Sequence, residues 1–302
     1  MKKIIDNFSI ENKFSFYSAF FRIFICFHLL KKVFLSWEYK DLLYMSKSFF
    51  VHEESGLLDF FNINSNVLRE NFQFFYFFYV ILILFYFFGI GKNLTALILF
   101  IFYEILQNLC PSILNGGDNL LKFIMIYMIF IDSYNYFSIS PKLFKNPEYL
   151  KFNVFLSNLG GFSICLHLCL AYFISAIHKI HADLWFNGIA TYYTMSLERF
   201  RGTNYNLSLA KNAIFVTLST YATILIELFY PALVWFKNTK KLIIILAVIL
   251  HISIYVFMMI YDFQLVFIFV QGFFIANNDW ISFYEKLKSK INKYGKQAYN
   301  IH

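Results

Sequence analysis

Residues 242–259 read LIIILAVILHISIYVFMM: eighteen positions with no Lys, Arg, Asp or Glu, and one histidine, His251, near the middle. A helix rises 1.5 Å per residue, so about 20 mostly apolar residues cross a hydrocarbon core of roughly 30 Å. The stretch is apolar all round. It therefore does not read as the surface helix of a soluble bundle, which shows one polar face.

Working outward, seven further apolar runs appear at 15–35, 73–90, 94–113, 119–137, 153–181, 209–236 and 262–276. With the run at 241–260 they predict an all-α, polytopic membrane bundle of about eight transmembrane helices. The runs are unbroken, whereas a membrane β-barrel alternates polar and apolar residues in segments of about ten. Of the 302 residues, 59% are hydrophobic and 15% charged, with 42 Phe and 22 Tyr. A soluble domain carries roughly 25% charged residues, so the excess apolar surface calls for lipid. The first thirteen residues are largely polar and no small-residue cleavage site follows, so the first run reads as a retained anchor. No repeat or Gly/Ser linker divides the chain. One transmembrane domain is expected over 1–280, with a basic amphipathic cytoplasmic tail over 281–302.

The net charge of +8 reads as topology rather than nucleic-acid binding. With eight spans, Lys2, Lys3, Lys13, Lys92, Lys142, Lys145, Lys151, the lysines of 237–241 and those of the tail share one side. Lys31, Lys32, Lys40, Lys47, Arg69, Arg199 and Arg201 take the other. The positive-inside rule then puts both termini in the cytoplasm and the Asp183–Leu207 loop outside. The tail, from Trp280 through Ile291, suits an anionic membrane surface. The expected partners are the lipid bilayer and a secreted peptide substrate, with no nucleic acid.

Ionisable groups at membrane depth are costly and need partners or a purpose. The densest set is Ser175-Ala-Ile-His178-Lys179-Ile-His181-Ala-Asp183-Leu-Trp185-Phe-Asn187-Gly188. If the helix continues through it, His178 shares a face with His181, and Lys179 can pair with Asp183. Held among apolar walls, Lys179 is a candidate base; equally, it can snorkel to the interface beside Asp183. Glu227 and His251 sit mid-span, either as polar anchors between helices or, with Lys179 and Arg22, lining one buried cavity. Asn115-Gly116-Gly117-Asp118 opens the fourth run, where Asn115 or Asp118 serves as a helix cap. Cys165, His167 and Cys169 do not read as a metal site: the cysteines share a face and His167 points away from it. No metal is expected.

Taken in order, Phe21-Arg22, Asn115-Gly116-Gly117-Asp118, the segment from Tyr172 to Gly188, Glu227-Leu-Phe-Tyr-Pro231 and His251 resemble the HTTM superfamily. This is the membrane domain shared with vitamin K-dependent γ-carboxylase. The likeness covers roughly 15–280 and is strongest in its short bacterial branch, which includes the sporulation-delaying protein B type. The resemblance implies a bacterial inner-membrane protein that helps mature or export a secreted, toxin-like peptide. It implies Lys179 as catalytic base and His251 as a second catalytic group, supported by Arg22, Asp118, His178, Asp183, Trp185 and Glu227. It implies a quinone or hydroquinone as cofactor; the residues themselves name none. The carboxylase's large extracytoplasmic portion is missing, and Asn135 stands where that family has a functional histidine. Both departures point away from glutamate carboxylation. Two other readings follow: a quinol-dependent membrane enzyme, and a non-catalytic scaffold or immunity-type protein.

Overall fold

A computed structural model describes residues 8–45, 57–60, 63–139 and 147–299. Among these, every regular element is helical. The helices of ten or more residues are α1 (Ser15–Ser36), α2 (Phe72–Phe88), α3 (Lys92–Leu109), α4 (Gly116–Phe130), α5 (Pro147–Ile180), α6 (Ala213–Leu233), α7 (Lys237–Met258), α8 (Tyr261–Val270) and α9 (Asn277–Tyr299). A helix occupies each of the eight apolar runs.

Length and apolar content together separate them. Three, α5, α6 and α7, are long and apolar enough to cross a membrane. A fourth candidate joins Tyr261–Phe274 to Asn277–Asn292 through a 107° bend. The 17 residues of α2 reach only about 26 Å, and the 15 of α4 about 23 Å. The fourth run was expected to extend to 137, but α4 stops at Phe130 and the chain continues as irregular backbone. Pro147 is the first residue of α5. That position suits proline, because a first-turn N–H has no intrahelical partner to lose.

The chain forms two compact units. The first comprises Met1–Ser112, Met125–Phe162 and Ile275–His302. Its centre is Arg22 on α1, which is fully buried. The last carbonyls of a helix lack intrahelical donors. Arg22 supplies them at the end of α2, donating from Nη1 to Tyr86 O and Phe87 O, each at 2.5 Å. It also donates to Ser133 O at 3.2 Å, Tyr136 O at 3.3 Å and Phe137 O at 2.7 Å. A guanidinium has five N–H donors in a fixed fork, and each meets a backbone carbonyl. These bonds fasten the irregular stretch after α4 to the end of α2, where Gly89 takes φ +72°. Arg69 does the same for α3, donating to Leu109 O at 2.7 Å and to Tyr44 O at 3.3 Å.

The tail helix α9 also belongs to this unit. It begins at Asn277, earlier than the expected 281, and Asn277 Oδ1 accepts from Phe16 N at 2.9 Å. Trp280 stacks on Tyr17 with centroids 4.8 Å apart, and Tyr284 meets the rings of Phe16 and Phe137.

The second unit comprises Ile113–Ile124 and Ser163–Phe274. Here α7 and α8 pack together through the sharp turn at Met259, whose φ is +57°.

Arg22→Lys keeps the charge but loses the fork. We expect it to destabilise the protein by roughly 2–3 kcal/mol, the scale of lost charge-assisted hydrogen bonds. Thermal melting in detergent measures this, and an unchanged midpoint would contradict the capping role.

Candidate functional site

Four helices of the second unit each offer one polar stripe. On α5, Tyr172, Ser175 and Lys179 follow helical spacing. On α6 the stripe is Thr220, Thr223, Glu227 and Tyr230; on α7 it is His251, in line with the buried Ile243 and Ala247. Gln264 on α8 and Gln271 just beyond it are seven residues apart, two turns on one face. Tyr172, Ser175, Lys179, Thr223, Glu227, His251 and Gln264 of these stripes line a cavity of about 500 Å³. Ile254, Phe263 and Phe267 give it apolar walls, and Lys179, Glu227 and His251 are among its polar lining.

Lys179 Nζ donates to both oxygens of Glu227, at 2.9 and 2.7 Å, and to Ser175 Oγ at 2.5 Å. The Trp185 ring lies over the ammonium, 5.1 Å from centroid to Nζ. An ammonium has three donors, so this set uses all of them. The sequence offered Asp183 as the partner, but α5 ends at Ile180 and Asp183 starts a separate short helix, Asp183–Phe186. The i, i+4 relation between Lys179 and Asp183 therefore lapses, and the ammonium turns to the carboxylate on α6. On that helix Pro231 has no N–H to give the Glu227 carbonyl four residues back, so the turn carrying the carboxylate lacks one backbone bond.

A second group of polar side chains is uncharged. Tyr172 Oη and His251 Nε2 lie 2.7 Å apart. His251 Nδ1 meets Gln264 Oε1. Gln271 Nε2 donates to Tyr172 Oη at 2.7 Å, and Tyr230 donates to Gln271 Oε1.

The Asp183–Leu207 segment is fastened over this region. Thr191 N donates to Thr220 Oγ1 at 3.1 Å, and Tyr221 Oη donates to Phe186 O at 2.8 Å. Asn206 Nδ2 donates to Phe257 O at 2.7 Å, near the end of α7.

Of the expected site residues, Lys179, His251, His178, Trp185 and Glu227 all line the cavity. Asp183 and Asp118 are not among its lining residues. Arg22, expected beside Lys179, belongs to the first unit, where its donors meet carbonyls. Asp118 closes the cap of α4: its Oδ2 accepts from Asn115 N at 3.1 Å, while Asn115 Oδ1 accepts from Gly117 N at 2.8 Å. The glycines of this motif have a further use. A Cβ on Gly117 would lie 2.6 Å from Phe263 Cα, so the motif lets the cavity-wall residue Phe263 approach the start of α4. His167 packs against Phe123, with ring centroids 4.7 Å apart. Asn135 is exposed in the first unit.

Sequence reasoning singled out ionisable groups and assigned no role to Ser175, Tyr172, Tyr230, Gln264 or Gln271. The available signal was Gln264 and Gln271, two turns apart and flanking the apolar run 265–270. No protein-family model, curated protein or solved structure matches this chain.

Breaking a buried pair from one side strands a charge, whereas replacing both partners with apolar residues does not. The two side chains here are 18% and 9% exposed. Glu227→Leu should cost about 3 kcal/mol, and Lys179→Met/Glu227→Leu should recover most of that. Thermal melts of the single and double variants decide it; equal loss in both would rule out the pair as the source.

Proposed function

We propose that this chain is a multi-pass membrane protein of the HTTM type and that the Lys179 cavity is its active site. In this reading it serves the maturation or export of a secreted, toxin-like peptide. The observation that carries the reading is the convergence of Lys179, Glu227, His178, Trp185 and His251 on one apolar-walled cavity. These residues come from three separated parts of the resemblance. An apolar cavity with a few convergent polar groups is the usual form of a small-ligand or catalytic site. Lys179 and Glu227 work as a unit in which the ammonium can give a proton to the carboxylate and so present a free amine to a substrate.

A second reading, a quinol-dependent enzyme, is favoured by the aromatic walls. Phe263, Phe267 and Trp185 suit a flat ring, and Lys179 suits its oxygens. A bound quinol would supply acidic O–H groups and reducing electrons. A scaffold or immunity-type protein, by contrast, would not need the lysine itself.

Lys179→Arg separates these classes, because arginine holds its proton at any usable pH. The catalytic readings predict loss of activity, by about 100-fold or more, in a peptide-maturation or quinol-oxidation assay with insertion intact. Wild-type activity in Lys179→Arg would remove Lys179 as the base.

The same proposal gives the chain eight spans with both termini cytoplasmic, supported by the lysine asymmetry. The tail helix α9 then lies on the anionic inner surface. Its Phe283, Leu287 and Ile291 are exposed on one face, with Lys286 and Lys290 beside them. The weakest span is α8, since Tyr261–Phe274 reaches only about 21 Å. The four native cysteines are buried, so added ones report cleanly. Asn204→Cys and Asn292→Cys, both at exposed positions, should label from opposite sides of the membrane. Labelling from the same side would mean that the chain between them does not cross three times.

A further inference from the structure

The uncharged group beside the cavity has a definite direction. The oxygen of Gln264 can only accept, so His251 Nδ1 carries a hydrogen. A neutral imidazole then has its lone pair on Nε2, so the Tyr172 hydroxyl donates to it across 2.7 Å. On the other side, Gln271 donates its amide N–H to the Tyr172 oxygen at 2.7 Å and is itself held by the Tyr230 hydroxyl. All five side chains are at most 3% exposed. The two amides face opposite ways. The Gln264 oxygen lies where positive charge would build on the imidazole, and the Gln271 N–H lies where negative charge would build on the phenol oxygen.

This is the ordering of a hydroxyl, a histidine base and an orienting acceptor, the arrangement that activates nucleophiles and bases in enzymes generally. Tyr172 and His251 both line the cavity, as does Gln264. Resting on the reading of that cavity as an active site, we infer that Tyr172, backed by His251, is a second proton-accepting catalytic group. In this assignment Gln264 and Gln271 are positioning residues.

The step is a relay. A ligand carrying an acidic O–H or N–H gives that proton to Tyr172 Oη as the hydroxyl's own proton passes to His251 Nε2. The ligand keeps the electron pair of the broken bond, Tyr172 is regenerated, and His251 becomes imidazolium. No oxidant or co-reactant is needed. Tyr172 and Lys179 lie seven residues apart on one face of α5, about 10 Å along its axis. The two groups thus address opposite ends of a ligand.

Nitrogen-15 NMR of histidine-labelled protein in lipid bilayers tests the relay without any activity assay. His251 signals are identified by their loss in His251→Asn. The expected result is a neutral ring protonated at Nδ1, with a bare, hydrogen-bonded Nε2. Tyr172→Phe should shift Nε2 and leave Nδ1 protonated, and Gln264→Leu should give a mixture of tautomers. A wild-type ring protonated at Nε2, or an Nε2 signal unmoved in Tyr172→Phe, would overturn the proposal. In a peptide-maturation assay Tyr172→Phe should lower activity about 100-fold. Full activity in that variant would overturn the relay and leave the cavity reading standing. Full activity in Lys179→Arg together with loss in Tyr172→Phe would instead remove Lys179 as a base and keep the relay.

Discussion

A carboxylate and an ammonium held between apolar helices have to find each other, and the second unit is arranged around that requirement. Lys179 and Glu227 meet with two short N–O contacts, 2.7 and 2.9 Å. Either charge alone at membrane depth costs at least a few kcal/mol. The pair removes that cost only if α5 and α6 keep their register, so the interaction constrains both helices. Ser175 and the Trp185 ring complete the shell around the ammonium. The short helix Asp183–Phe186 must therefore remain in place, and the bonds from Thr191, Tyr221 and Asn206 fasten the segment that carries it.

The remaining polar groups follow two rules. In the first unit, cationic arginines go to helix ends: Arg22 donates to Phe87 O of α2 and Arg69 to Leu109 O of α3, carbonyls that have no intrahelical partner. In the second unit, two amides, two phenols and an imidazole are linked in one directed chain, of which Tyr172, His251 and Gln264 line the cavity. Neutral groups satisfy each other at lower desolvation cost than charges do. The cavity thus has one charged pair at the end of α5 and one uncharged chain farther along the same helix face.

Much of this was legible in the residues. The helical runs were evident from apolar length alone, and each contains a helix. Their boundaries were less so: α4 stops at Phe130 because the following backbone gives its carbonyls to Arg22, a long-range demand that no local pattern announces. The grouping of Lys179, Glu227 and His251 could be anticipated from the cost of isolated charges. The choice of Glu227 over Asp183 could not, because it depends on where α5 ends. The capping role of Arg22 was not legible for the same kind of reason, since its five partners are backbone carbonyls, which carry no sequence signature. The amides Gln264 and Gln271 were visible but unweighted, because their importance comes from what faces them.

The most direct test is a dipolar-coupling measurement between the side-chain nitrogen of Lys179 and the side-chain carboxyl carbon of Glu227, in protein reconstituted into lipid bilayers. The paired arrangement predicts a strong coupling that disappears when either residue is replaced. A wild-type spectrum with no coupling beyond that of Glu227→Leu would place the ammonium elsewhere and remove the centre of the site.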